Sequence, residues 1–181
     1  MIRHLTQADY RAMPWANGKG VTVEMLRIDG PGGLLLRLSR ASVVEDGAFS
    51  IFPGIERNLT VITGPGFDLV GSGPGGAGLA LRCPPLVPVA FAGDVPVAAA
   101  GVSAPSDDFN VMTARALPRP EVRVLAAGGQ VDLPDWGAVY ALAAAQVGPD
   151  RLAPGDLVLA DGRLDIAGPV IVVALRGIPR P

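Results

Sequence analysis

Histidine occurs once in this chain of 181 residues, at position 4, cysteine once, at position 83, and lysine once, at position 19. Each scarcity removes a class of chemistry. Transition-metal sites combine several His, Cys and carboxylate ligands, so a multi-histidine metal centre is excluded and no metal or other cofactor is expected. A lone cysteine forms no internal disulfide. A Ser-His-Asp or Cys-His mechanism would have to use His4, and nothing near His4 resembles a nucleophile elbow. His4 therefore reads as an ordinary residue of an N-terminal strand. Charge is scarce too, with 18% Asp, Glu, Lys and Arg and a net charge of -2. No Lys/Arg-rich block appears, which argues against a nucleic-acid partner, since phosphate binding needs a concentrated basic face. Long apolar runs are also missing despite a mean hydropathy of +0.38. The best stretches, 95–102 and 170–175, fall far short of the roughly 20 residues of a spanning helix, so no membrane partner is expected. The opening residues Met1 to Thr6 lack an apolar signal-peptide region, and the expected location is the cytoplasm.

What the chain has in abundance is punctuation: 24 glycines and 18 prolines. Between them recur apolar runs of four to nine residues, among them 21–28, 34–42, 59–63, 67–70, 109–114, 122–126, 156–160 and 170–175. Short strand-like runs at close spacing, bounded by turn residues, predict an all-β sandwich or barrel. Two segments depart from this pattern. Residues 6–13 could open as a helical turn, and the Ala-rich 138–146 fits either helix or strand. The glycine-rich segment 71–78 lacks the phosphate-loop pattern and reads as a loop between strands. The Leu117-Pro118-Arg119-Pro120 break suggests approximate halves 1–116 and 117–181. The second half is too thin to close a barrel alone, so one compact unit with strands shared between the halves is expected.

Alternation along strands brings polar groups together. On 34–42, Leu34, Leu36, Leu38 and Arg40 share one face, while Leu35, Arg37, Ser39 and Ala41 share the other. On the run containing Phe109, the residues Asp108, Asn110 and Met112 face one way. An Asp and an Asn two apart among apolar neighbours are costly if buried without partners. They therefore face water or belong to a hydrogen-bonded site. The densest polar cluster lies earlier, in Pro14-Trp15-Ala16-Asn17-Gly18-Lys19-Gly20-Val21-Thr22-Val23-Glu24.

Three segments in order carry a resemblance. They are P-W-x-N-G-x-G-x-T-x-E at 14–24, F-S-x-F-P-G-x-x-R at 49–57, and F-x-G-D-x-P at 91–96 followed by D-x-N-x-M at 108–112. Together they resemble the HutD/Ves family of cupin-like proteins over roughly residues 3 to 115. Ala16 stands where that family commonly has lysine, and Lys19 where it commonly has glycine. The resemblance implies a cupin-like double barrel (bicupin, RmlC-like jelly roll) and a part in bacterial histidine utilisation. It also implies binding of N-formylglutamate by a governor protein and not by an established enzyme.

Such a ligand carries two carboxylates and an amide, and the residues can be matched to it. Arg37 and Arg57 are the candidate carboxylate partners, because a planar guanidinium grips a carboxylate through two parallel hydrogen bonds. Asn17, Thr22, Ser39 and Asn110 can complement amide or carboxylate oxygens. Trp15 can form an apolar wall, and Gly18 and Gly20 can let backbone N–H groups approach an anion. Glu24 would repel a dianion and is expected to brace an arginine. Asp94 and Asp108 are further supporting candidates. Each has a plainer alternative. Trp15, Phe49 and Phe52 also suit a core, Asp94 suits a loop cap, and Arg57 could pair with Glu24, Glu56 or Asp108. A different class of function is a metal-free enzyme with Glu24, Asp108 or Asp94 as general base on a small acid or sugar. Pairing of two copies through Ala/Val-rich strand edges, as a homodimer or scaffold, also stays open.

Overall fold

The computed structural model describes residues 3–15 and 20–181. In chain order its strands are β1 (Arg3–Leu5), β2 (Arg11–Pro14), β3 (Val21–Gly30), β4 (Gly33–Val43), β5 (Gly47–Ala48), β6 (Ile55–Thr63), β7 (Phe67–Gly71), β8 (Ala80–Cys83) and β9 (Val89–Ala92). They continue as β10 (Val97–Ala100), β11 (Ser106–Ala114), β12 (Glu121–Leu125), β13 (Gly128–Ala141), β14 (Ala145–Val147), β15 (Asp150–Leu152), β16 (Leu157–Ala167) and β17 (Val170–Leu175). Strand takes 62% of the described residues and helix 2%, as the turn-rich composition predicts. Residues 6–13 yield only a three-residue 3-10 turn, Gln7–Asp9, because the chain is extended again from Arg11. Asp9 closes that turn by accepting the Thr6 backbone N–H at 2.8 Å.

The chain divides into two units at Ala116/Leu117, with the residues up to Tyr10 belonging to the C-terminal one. Within Arg11–Ala116, six strands form one antiparallel sheet in the order β2-β3-β4-β11-β6-β9, and four form a second in the order β5-β10-β7-β8. An apolar cluster fills this unit: Leu59 and Val61 from the first sheet, Phe67, Leu69, Cys83, Val97 and Ala99 from the second. Burying such side chains contributes about 1.5–3 kcal/mol each, which is what drives strand faces inward. The glycine-rich loop joins β7 to β8, and its backbone folds back on itself. A Cβ at Gly71 would lie 1.5 Å from the Gly76 carbonyl oxygen, so this approach requires glycine.

The other unit combines residues up to Tyr10 with Leu117–Pro181. Its sheet runs β12-β17-β13-β16-β14-β15, with β1 added antiparallel to β16. Val131, Leu133, Val139, Val158, Val170 and Val172 lie in its apolar core. The Ala-rich segment proves to be the end of β13, hydrogen-bonded on one side to β16 and on the other to β17. Neighbours on both edges override the helical preference of alanine, and Ala138 is fully buried. Two polar ties fasten the N-terminal segment. His4, in β1, places Nε2 2.9 Å from Asp156 Oδ2, and the Tyr10 hydroxyl donates to the Gly155 carbonyl at 2.8 Å.

Candidate functional site

Strand register decides what the inner face of the six-stranded sheet presents. Pairing of β11 with β4 and β6 sets Asp108 between Ala41 and Val61, Asn110 between Ser39 and Leu59, and Met112 between Arg37 and Arg57. Pairing of β3 with β4 adds Thr22 beside Ala41 and Glu24 beside Ser39. Residues directly opposite on antiparallel strands share a face, so these rows form one continuous surface. Toward Val61 and Leu59 the surface merges into the apolar cluster. Elsewhere it borders a cavity of about 410 Å³ lined by Trp15, Thr22, Arg37, Ser39, Ala41, Val43, Ala48, Phe49, Ser50, Phe52, Arg57, Asp108, Asn110 and Met112. Both faces of β4 are buried: Leu36 and Leu38 on one, Arg37 and Ser39 on the other. A solvated outer face for Arg37 is therefore ruled out.

Of the ligand-binding candidates, Trp15, Thr22, Arg37, Ser39, Arg57 and Asn110 come together around this cavity. Gly20 sits just outside, under the Trp15 ring, where a Cβ would approach ring carbons to 2.9 Å. Asn17 and Gly18, with Ala16 and Lys19, lie outside the described residues. Glu24 braces Arg37, accepting from its Nε at 2.7 Å. That bond leaves the two terminal nitrogens of Arg37 without a partner among the described residues, and the side chain borders the cavity. Asp94 does not line the cavity. It accepts the Gly54 N–H at 2.8 Å and pairs with Arg115, and the Gly54 bond first, then Arg115, holds its carboxyl below the usual range. Asp94 thus ties down the Pro53-Gly54 turn that precedes β6.

Arg57 is the least ordinary residue in the cavity. It is 7% exposed, and its guanidinium carbon lies 5.3, 5.4 and 5.0 Å from the ring centres of Phe49, Phe52 and Phe91. Three aromatic faces hold the cation in place and contribute cation–π attraction. Phe49 is itself packed on Phe67, with ring centres 6.1 Å apart. Arg57 donates from Nη2 to Asn110 Oδ1 at 3.1 Å and from Nη1 to the Ser50 carbonyl at 3.3 Å. Its Nε is buried with no partner among the described residues. Such an orphaned donor on a cation costs free energy unless something answers it. Burial pulls the guanidinium down to about 10, with Asp108 opposing and Arg37 reinforcing the fall. Asn110 passes the contact on, donating from Nδ2 to Asp108 Oδ1. Burial pushes the Asp108 carboxyl up to about 7, against the pull of Arg57 and with the push of Asp107.

The aromatic cage is what the sequence could not specify. Phe49 and Phe52 precede Arg57 in a non-repetitive segment, where no periodicity assigns a face. Phe91 reaches it only through the pairing of β9 with β6, where Arg57 stands opposite Phe91. The motif F-S-x-F-P-G-x-x-R was the available signal. Among the described residues no group of three or more His, Cys, Asp or Glu side chains is placed to hold a metal ion.

The Trp15 wall yields a prediction. The indole donates from Nε1 to Thr22 Oγ1 at 2.8 Å, and its backbone N–H reaches the Gly20 carbonyl at 2.9 Å. Gly20→Ala must displace the ring that lines the cavity. The expected result is a changed tryptophan emission spectrum and a weaker response to added ligand. An unchanged spectrum would mean that the ring lies elsewhere.

Comparison with known proteins gives this arrangement its relatives. The family model described as HutD matches residues 7–166. An uncharacterised 21.2 kDa protein in the hutC 3' region of Pseudomonas putida is 38% identical over 118 residues, 62% of this chain and 58% of that protein. The chain thus spans less than two thirds of that relative's length. Protein Ves of Cronobacter sakazakii is 32% identical over 148 residues, 80% of each chain. The structure of HutD from Pseudomonas fluorescens superposes with a TM-score of 0.84 at 29% identity, covering 97% of this chain and 99% of that one. A cupin 2 conserved barrel domain protein from Leptotrichia buccalis, 8% identical with a TM-score of 0.56, shares the fold over 92% of this chain and 96% of its own. On the extent of the family match and the near-complete superposition, this chain has a cupin-like β fold and belongs to the HutD family.

Proposed function

We propose that this chain is a small-molecule-binding regulator of histidine utilisation whose cavity takes N-formylglutamate or a similar small dicarboxylate, and that it governs the pathway without catalysing a step of it. One observation carries the reading. A buried arginine, clamped by three aromatic rings and short of one hydrogen-bond partner among the described residues, borders the same cavity as a second arginine whose terminal nitrogens are likewise unpartnered among them. Two planar cations suit two carboxylates, while Ser39, Thr22 and Asn110 suit the amide between them. The volume of about 410 Å³ falls in the range of about 300–1,000 Å³ usual for small-molecule sites. Trp15, Phe52 and Met112 supply apolar wall for a short carbon chain.

Isothermal calorimetry with N-formylglutamate tests this reading. Saturable heat is expected, unchanged by a chelator and unchanged in His4→Ala, since His4 lies in the other unit against Asp156. No heat and no thermal shift at millimolar ligand would overturn it.

A specific observation keeps an enzymatic reading in view. Asp108 has the raised carboxyl expected of a general base near neutral pH, and it borders the cavity. Glu24 and Asp94 are less suited, being engaged by Arg37 and Arg115. Turnover of a small acid or sugar that is lost in Asp108→Asn would favour this second reading.

A further inference from the structure

Binding of a dicarboxylate leaves one charged group in the cavity without a task, and it carries the wrong sign. Asp108 is 1% exposed, shares the inner face with Arg57 and Asn110, and lines the same hollow. Its Oδ1 accepts from Asn110, while Oδ2 takes no partner among the described residues. An ionised carboxylate there would meet an incoming dianion in a poorly screened interior, where like charges repel strongly.

The surrounding charges do not remove the conflict. From β6 comes Arg57, from β4 comes Arg37, already shared with Glu24 of β3, and Asp107 adjoins on the same strand. Cys83 of β8 lies within range of the Asp108 charge and is a buried thiol pushed up to about 11. One unshared cation therefore faces one buried carboxylate before any ligand arrives.

We propose that Asp108 takes up a proton from solvent as the anion enters and presents the resulting Oδ2–H to a carboxylate oxygen of the ligand, so that binding in this cavity is proton-coupled. No other bond forms or breaks. The inference rests on the anion-binding reading above and assigns its regulation to one residue. Asn110 serves as the positioning residue, holding Oδ1 so that the donor end points into the cavity. Burial already keeps the carboxyl near neutrality, and a second negative charge beside it favours the protonated form further.

The sign follows from linkage. Ligand carboxylates stay ionised well above pH 5, while Arg57 and Cys83 keep their protons below about pH 9. Where Asp108 is already protonated, below about pH 6, affinity is flat. Above about pH 7 the proton must be drawn from solvent, and affinity falls by up to tenfold per pH unit.

Calorimetry of the full chain with sodium N-formylglutamate, between about pH 6 and pH 9 in buffers of different ionisation enthalpy, reads this directly. The expected result is net uptake of up to one proton per ligand, with the fall in affinity just described. Asp108→Asn, a neutral isostere, should bind without proton uptake and with affinity independent of pH. His4→Gln should leave the uptake intact, which keeps the measurement decisive even where Asp108→Asn does not fold. Binding without proton uptake overturns the proton coupling alone, and uptake lost in His4→Gln or kept in Asp108→Asn overturns its assignment to Asp108. Absence of binding at every pH overturns the anion site together with it.

Discussion

Arg57→Ala should weaken binding of N-formylglutamate by about a hundredfold or more while leaving the β architecture in place. A charge-assisted hydrogen bond contributes about 1.5–3 kcal/mol, and a forked guanidinium makes two, so a loss of about 3 kcal/mol is the lower expectation. The stability of the free protein should change far less, because opposing effects meet at this residue. Removing the cation gives up attraction to Phe49, Phe52 and Phe91, but it also ends the cost of keeping a charge and an unpartnered Nε out of water. Arg57→Lys separates the contributions. It retains the charge but not the planar fork or the ring stacking, and should bind between the parent and the alanine variant. Calorimetry on the three proteins makes the comparison. Equal affinities in parent and Arg57→Ala would remove Arg57 from the site.

Trp136→Ala should produce the largest loss of stability outside the cavity. The indole is fully buried in the unit that contains β13, and its Nε1 donates to the Ile178 carbonyl at 2.7 Å. Trp136 lies where the register of β13 against β16 shifts, between Leu133 and Gly137. Truncating a buried tryptophan costs about 3–5 kcal/mol, which for a chain of this size lowers the melting temperature by roughly 10 °C or more. Trp136→Phe keeps most of the ring but strands the Ile178 carbonyl, for about 1–3 kcal/mol. Scanning calorimetry checks both. A change of only a degree or two in Trp136→Ala would mean that the ring is not packed as described.

Several parts of the fold are legible in the chain alone. Strand alternation alone assigns Arg37 and Ser39 to one face of β4, and Asp108, Asn110 and Met112 to one face of β11, because the pleat has a period of two. Proline removes backbone donors, so the Leu117-Pro118-Arg119-Pro120 segment interrupts the strands, but nothing local shows that the residues up to Tyr10 join the unit that follows it. Local pattern did less for residues 138–146, where alanine favours helix and only partners on both edges make a strand. It did nothing for the placement of Phe91 over Arg57, which depends on a pairing between β6 and β9 some thirty residues apart.

Asp94 and Asp108 stand fourteen positions apart, and both belong to recognisable motifs. One ends at a turn, paired with Arg115, and the other ends in the cavity with its carboxyl raised to about 7. Nothing in their local sequence separates them, since desolvation is a property of what other strands bring alongside.

By itself, then, the amino-acid order determined the β class, which residues of a strand share a face, the absence of a multi-histidine centre, and the motif set that places the chain among its relatives. These follow from composition and from a two-residue repeat, both local properties. Tertiary structure alone decided that Arg37, Arg57, Asn110 and Asp108 meet around one hollow, that Arg57 is caged, and that Asp108 is desolvated. Those outcomes depend on strand register and on burial among distant segments, and the energy of a buried charge is set by neighbours that lie far away along the chain.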